Sequence, residues 1–323
     1  MSISTSNGLC LQGARPRHRG GLRAGWRGRR PALGFTLVEL IVVIVIGAIM
    51  AGSVAVFMRP AIDSFVGSRV RSDIADQADT ALRRIQRDVR RAVPNSLRVP
   101  SDQCFELVPS ASGGRYRMGP DVTNDSPASC TAASNPSTCA AWVDTTDQTT
   151  LFDTLSPLST TPSAGDWVVF NNQNGNDVYE GNNRSAITSV ASTPATTQGY
   201  VRLGINALQV SPGYNGGRFT VVSQNEPSVF YVCSGADGTV DGSGNGKGTL
   251  YRLVRSFNAT YPTSCPSVSG AVPLATRVRS CSFVYDPNQG ATQQSGFLWM
   301  ELAITRDNET AHLAVGAHVL NVP

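Results

Sequence analysis

The chain has 323 residues, 41% hydrophobic and 15% charged, with 27 lysines and arginines against 23 aspartates and glutamates and a formal net charge of +4. Seven of the cations (Arg15, Arg17, Arg19, Arg23, Arg27, Arg29 and Arg30) fall in the first 34 residues, where there is no acid, leaving 20 against the same 23 acids beyond them, a formal balance of −3. The basic overall charge is therefore no signature of nucleic-acid binding.

Residues 1–34 read as a basic leader that stays cytoplasmic by the positive-inside rule, which puts everything after Phe57 outside. Arg29-Arg30 lack the flanks of a twin-arginine signal and serve as topology charge. From Phe35 to Phe57 there are 23 residues with one charge, Glu39. A helix of that length, rising about 1.5 Å per residue, crosses the hydrocarbon core of a bilayer. A carboxylate in hydrocarbon costs roughly 3 kcal/mol or more unless it is paired, so Glu39 marks a function. The competing readings of the run are a simple signal anchor and a signal peptide cut after Ser53-Val54-Ala55.

The helical pattern continues over residues 58–93. Pro60 is expected to bend the helix or to remove one of its hydrogen bonds. Ile62, Val66, Val70, Ile74, Ala78, Ala81, Ile85, Val89 and Val93 recur at three- and four-residue spacing and predict one buried stripe beneath a sheet. Arg69, Arg71, Asp73, Asp76, Arg83, Arg84, Arg87, Asp88, Arg90 and Arg91 fill the other faces, where they serve solvation and i,i+4 pairing or contact other subunits. Pro94-Asn95 ends the pattern, so a continuous helix from Phe35 to Val93 is roughly 90 Å long.

From residue 94 the composition turns to Ser, Thr, Asn, Gly and Pro with short β-rich runs, and about 230 residues are enough for a real core. Strands are predicted at Cys104–Val108, Arg115–Met118, Asp166–Phe170, Tyr200–Leu203, Arg218–Val222, Ser228–Cys233, Thr249–Arg255, Arg277–Asp286, Gly296–Thr305 and Ala311–Val319. The last three follow one another as an antiparallel meander. In the ninth, Leu298, Met300, Leu302 and Ile304 form the expected core face, and Phe297, Trp299, Glu301 and Ala303 the other. The polar stretches 120–165 and 171–199 read as long surface loops.

Cys10 belongs to the leader. The other six cysteines (Cys104, Cys130, Cys139, Cys233, Cys265 and Cys281) fall outside the membrane, where disulfides form, and allow 15 pairings, with Cys130–Cys139 the best single choice because one polar loop holds both. A zinc site is disfavoured: there is no Cys-x-x-Cys, and His312 and His318 have no paired spacing with a cysteine. The run Gly242-Ser243-Gly244-Asn245-Gly246-Lys247-Gly248 fails the phosphate-loop pattern twice, with Asp241 where Gly is needed and Gly248 where Ser or Thr is needed. No nucleophile elbow or His-Glu-x-x-His occurs. Asp237 and Asp241, or Asp177 and Glu180 in the 171–183 loop, offer oxygens of the kind calcium takes, but their spacing matches no motif and they read as solvated loops. Neither a cofactor nor a metal nor a catalytic residue is expected.

Gly34-Phe35-Thr36-Leu37-Val38-Glu39-Leu40, at the junction of a basic leader and an apolar helix, resembles the processing site of type IV prepilins and type II secretion pseudopilins. The resemblance implies cleavage between Gly34 and Phe35 by prepilin peptidase and N-methylation of Phe35. It also implies that Glu39 sets register by neutralising the amine of a neighbouring subunit. The implied fold class is α+β and pilin-like: a leader (1–34), a transmembrane or filament-core helix (35–57), its amphipathic extension (58–93) and a disulfide-containing, antiparallel β-rich head (94–323). Arg59-Pro60, Ile62, the stretch from Ala78 to Ser96 and the ending His318–Pro323 resemble the MshO family of minor pilin-like proteins of mannose-sensitive haemagglutinin (MSHA) pilus biogenesis, while residues 110–245 match nothing in it. That resemblance implies a structural subunit rather than an enzyme, anchored once in the inner membrane with its head in the periplasm and placed at the pilus tip or priming complex. Its partners are then membrane lipid, other minor and major pilins and the inner-membrane assembly platform, with no nucleic acid. The alternatives are a J-like minor pseudopilin of type II secretion or another large minor pilin, and a membrane-anchored binding or enzymatic domain.

Overall fold

The computed structural model describes residues 34–125, 129–130, 133, 138–212, 216–289 and 295–320. The leader before Gly34, with Cys10, and the last three residues of the C-terminal motif lie outside them. The chain divides after Pro60 into two units. Helix α1 (Leu37–Arg90) is assigned without interruption through Pro60, where the ring nitrogen has no hydrogen to give to the ladder.

α1 stops three residues before the expected Val93. Pro94 crowds the backbone of Val93 and disfavours its helical conformation. Arg91 N–H still reaches the Arg87 carbonyl and Ala92 N–H the Val89 carbonyl, both at 3.2 Å, but Val93 N–H turns away to the Val108 carbonyl at 2.8 Å. Asn95 then takes a positive φ of 59°, a conformation asparagine tolerates better than most residues.

In the second unit α1 covers one face of a sheet. Val70, Ile74, Ala78, Ala81, Leu82, Ile85 and Val89 are buried. Ile62 and Val66, expected in the same stripe, are 53% and 52% exposed. The reason is the reach of the sheet: Glu309, beside the turn at Asp307-Asn308 between its last two strands, pairs with Arg71 at 2.8 Å, so the strands end near that level of the helix. Helical periodicity records which residues could be buried together, and the extent of the partner decides which are.

Among the described residues the sheet under α1 has seven antiparallel strands in the order β1-β2-β9-β10-β11-β12-β13. These are Arg98–Ser101, Cys104–Leu107, Ser228–Ser234, Gly248–Arg255, Val272–Gln289, Ser295–Arg306 and Glu309–Leu320. Leu298, Met300, Leu302 and Ile304 face the helix as expected, with Phe105, Tyr231 and Leu250 beside them in one core with Ile85 and Leu82. Full burial of such a side chain contributes about 1.5–3 kcal/mol. The opposite face carries a smaller core of Cys104, Phe230, Val232 and Leu253, packed against Cys265 and Val268.

Between the paired neighbours β2 and β9 the chain builds a second sheet, of six strands among the described residues, in the order β3-β8-β5-β6-β7-β4. Its strands are β3 (Ser112–Arg115), β4 (Thr149–Asp153), β5 (Trp167–Phe170), β6 (Arg184–Ala191), β7 (Arg202–Leu208) and β8 (Arg218–Val222), with the short helix α2 (Asp177–Glu180) after β5. This corrects the reading of 120–165 and 171–199 as loops, because they contain β4, α2 and β6. It also moves β3 three residues upstream of the expected Arg115–Met118. The core here is aromatic, with Phe152, Phe170 and Phe219 meeting edge-on or tilted. Polar residues hide it in the sequence: Asp153 is fully buried and accepts from Arg202 at 2.6 and 2.8 Å. The two sheets meet at Val93, Val108, Val169, Val178, Tyr179 and Val222. There Tyr179 donates to the Ser96 carbonyl at 2.8 Å and Asn172 to the Pro94 carbonyl at 2.6 Å.

The six cysteines pair as Cys104–Cys265, Cys130–Cys139 and Cys233–Cys281, with Cα separations of 5.7, 5.5 and 6.5 Å. Cys104–Cys265 spans 161 residues, and a loop of that size restricts the unfolded chain most in the chain-entropy account.

Two substitutions test this core. Ile85→Ala is expected to cost about 2–5 kcal/mol through a cavity under α1. Asp153→Asn is expected to cost about 3–5 kcal/mol by leaving the Arg202 guanidinium buried without its counter-charge. Urea unfolding of the full chain in detergent measures both, and Arg83→Ala, which removes an exposed helical ion pair, should leave the midpoint where it is.

Candidate functional site

The site grows from the first turn of α1. Thr36 is the N-cap: its Oγ1 accepts the Glu39 N–H at 3.2 Å, and its carbonyl accepts Leu40 N–H at 3.2 Å. Thr36-Leu37-Val38-Glu39 thus has the spacing of a capping box, with the acid at the third helical position. That position also favours a negative charge, since the unpaired N–H groups and aligned peptide dipoles make the helix start electropositive. Glu39 is exposed, and among the described residues its carboxylate has no cationic partner. Gly34 and Phe35 stand just before it; Phe35 is 78% exposed, and a β-carbon added at Gly34 would meet nothing within 4 Å. The three sequence-predicted residues Gly34, Phe35 and Glu39 are therefore gathered at one open helix end.

Behind them the helix is apolar on every side, and none of its most apolar segment is buried within the chain. Leu37, Ile41, Val45, Ile49 and Phe57, on different faces, are all more than half or nearly half exposed. A helix apolar all round needs lipid or other helices to cover it. Ser53, the hydroxyl in this run, donates to the Met50 carbonyl at 2.8 Å and so carries no unmet donor into hydrocarbon. Gly47 and Gly52 have open space above them, and with Ala51 and Ala48 they give small residues four apart, the spacing that lets helices approach closely in lipid.

The cysteines lie far along the chain from this helix end, in the three pairs already described. The carboxylates with calcium-type oxygens are occupied by their own turns. Asp237 accepts Thr239 N–H at 2.8 Å and its hydroxyl at 2.6 Å, and Asp241 accepts the N–H groups of Ser243 and Asn245. These hydrogen bonds hold both carboxyls below their ordinary range, the Thr239 hydroxyl leading for Asp237 and the Asn245 N–H for Asp241. Asp177 accepts from Asn174, and Glu180 from Asn182. His318 packs against the edge of Phe297. Among the described residues no three His, Cys, Asp or Glu side chains gather as a metal site would require.

One functional contact is hidden in the charged face of α1. Asp88 accepts from Tyr231 Oη and from Arg252 Nε, the latter at 3.2 Å, and Arg252 reaches on to both oxygens of Glu226 at 2.8 and 3.0 Å. Burial, with Asp88 beside it, pushes the Tyr231 hydroxyl well above its ordinary range. Asp88 is thus an anchor of the helix on β9 and β10, although its spacing places it among the solvated charges.

Residues 29–55 match the family model of the prokaryotic N-terminal methylation motif. No curated protein and no solved structure matches the chain. The motif, the exposed apolar helix and the β-rich unit together support a type IV pilin-like or pseudopilin protein, a structural subunit rather than an enzyme, and fit a single-pass membrane anchor. The motif implies processing by prepilin peptidase and interaction with other pilins.

Loss of the cap is directly measurable. Thr36→Ala is expected to weaken the first turn by about 1 kcal/mol, which is roughly a fivefold faster amide exchange at Glu39 in detergent micelles, and Thr36→Ser should restore protection. Equal exchange in all three proteins would show that the Thr36 hydroxyl does not hold the turn.

Proposed function

We propose that the chain is a minor pilin-like subunit of an MSHA-type type IV pilus, cut between Gly34 and Phe35, methylated at the Phe35 amine and incorporated at the tip or priming complex. In this reading residues 1–34 are the removed leader, 35–57 the membrane and then filament-core helix, 58–93 its extension, and 94–323 a periplasmic head. The observation that carries it is Glu39: one exposed carboxylate, without a cationic partner among the described residues, in the first turn of a helix whose apolar surface is uncovered. Cleavage creates a cationic amine four residues from it on each subunit. When helices bundle, the amine of one and the Glu39 of the next remove two charges from lipid together, which neither achieves alone.

The second sheet supports a minor over a repeating subunit, because an insertion of this size between β2 and β9 crowds a helical shaft. A minor pseudopilin of type II secretion, J-like, uses the same helix chemistry and is the second reading. The two separate in the cell: deletion abolishes surface pili in the first case and export of secreted proteins in the second.

Mass spectrometry of the N-terminal peptide from membranes is expected to find N-methylated Phe35. A terminus at Val56, or an uncut chain, would remove the basis of the pilus reading. Gly34→Leu should leave the leader attached. Glu39→Ala should be cut normally yet be absent from sheared filaments, and its ordinary incorporation would reject the pairing role.

A further inference from the structure

We propose that the cleft between the C-terminal end of α1 and the edge strand β3 docks an acidic, extended polypeptide segment of a partner protein. This inference concerns the 61–323 unit alone and does not rest on the filament reading. The cleft encloses about 390 Å³. Arg90 enters from the last turn of α1, Arg91 from the residue after it, Arg115 from β3 and Arg218 from β8, all four exposed, over a floor that includes Pro94 and Phe219. Among the described residues no aspartate or glutamate lines the cleft, and none of Arg90, Arg91 and Arg115 takes part in an ion pair.

This concentration does not follow from a general excess of positive charge. Residues 61–323 hold 19 cations against 22 acids. An adjoining hollow of about 250 Å³ shares Arg91 and adds Arg84 and Arg87. Its two acids are already engaged: Asp88 pairs with Arg84 and Arg252, and Glu226 with Arg252. Arg90, Arg91 and Arg115, close together and without an ion pair among the described residues, repel one another, and a row of carboxylates relieves that repulsion through paired, charge-assisted hydrogen bonds.

The floor favours a peptide over a nucleic acid. β3 pairs with β8, and its other side is taken in part by the chain itself: Arg115 bonds through its N–H and carbonyl to Ser156 Oγ and Leu155 N–H, and Ser112 Oγ accepts from Thr160 N–H and Ser159 Oγ. A peptide segment can set apolar side chains on Pro94 and Phe219 and give its carboxylates to the arginines. Among the described residues no exposed aromatic ring lines the cleft to stack a base.

The test is fluorescence-anisotropy binding of a labelled oligoglutamate peptide to the full chain in detergent, with oligoglutamine and duplex DNA as the other probes. Oligoglutamate is expected to bind in a salt-sensitive manner and oligoglutamine not to bind. The double variant Arg90→Gln, Arg115→Gln should weaken oligoglutamate roughly tenfold with an unchanged unfolding midpoint, and Arg69→Gln, away from the cleft, should not. If the double variant unfolds, Arg115→Lys keeps the charge without the fork and should weaken binding by a smaller factor. No binding, equal binding by the cleft variants, or displacement of oligoglutamate by tighter-binding DNA would overturn the proposal, the last assigning the cleft to nucleic acid.

Discussion

The burial of one stripe of α1 on the seven-stranded sheet is the interaction from which the rest of the 61–323 unit follows. Ile74, Ala78, Leu82, Ile85 and Val89 share a single core with Phe105, Leu298, Met300, Leu302 and Ile304. Apolar packing is non-directional and leaves the helix free to slide or roll over the strands. The contacts that fix its position are polar: Asp88 on Tyr231 and Arg252, Gln86 on the Gly316 carbonyl, and Arg71 on Glu309 at the end of the sheet. The buried and partly buried contacts among them matter most, because an exposed pair contributes little.

The second sheet is attached to this frame through a small number of specific bonds. Its strands leave from β2 and return at β9, two neighbours that remain paired as if nothing had been inserted. At the junction Tyr179 and Asn172 donate to the backbone where the chain leaves α1, and Asn95 donates back to the Asn172 carbonyl, so the turn created by Pro94 is also the seat of the insertion. The ring of Tyr179 lies under the buried Arg98 guanidinium at 3.4 Å, and Arg98 stands 3.7 Å from Glu106, whose carboxyl burial pushes up. A buried charge pair of this sort offers little net stability, but it is costly to break one-sidedly and so disfavours other arrangements of the junction.

The helix start obeys the opposite rule. There, among the described residues, an apolar surface is left uncovered and a carboxylate is left unpaired. The cap supplied by Thr36 holds the Glu39 backbone in the first turn. Intramolecular chemistry thus presents Glu39 in a fixed place, and intermolecular chemistry has to neutralise it.

The amino-acid sequence by itself determined the apolar helix, its Gly34-Phe35 junction and Glu39, the positions of most strands and the inward face of β12. Each of these rests on local periodicity, local composition or a contiguous motif, which a chain carries without knowing its neighbours. It also marked the stripe on α1, but the point where burial begins, Val70 rather than Ile62, depended on where the β12–β13 turn meets Arg71. Residues 120–165 and 171–199 read as loops because their strands bury Asp153, Thr149 and Ser185, polar residues that a core accepts only with partners such as Arg202, distant in sequence. Asp88 as an anchor, the pairs Cys104–Cys265 and Cys233–Cys281, and the gathering of Arg90, Arg91, Arg115 and Arg218 around one cleft were decided by tertiary structure alone, because each joins residues that only the folded chain brings together.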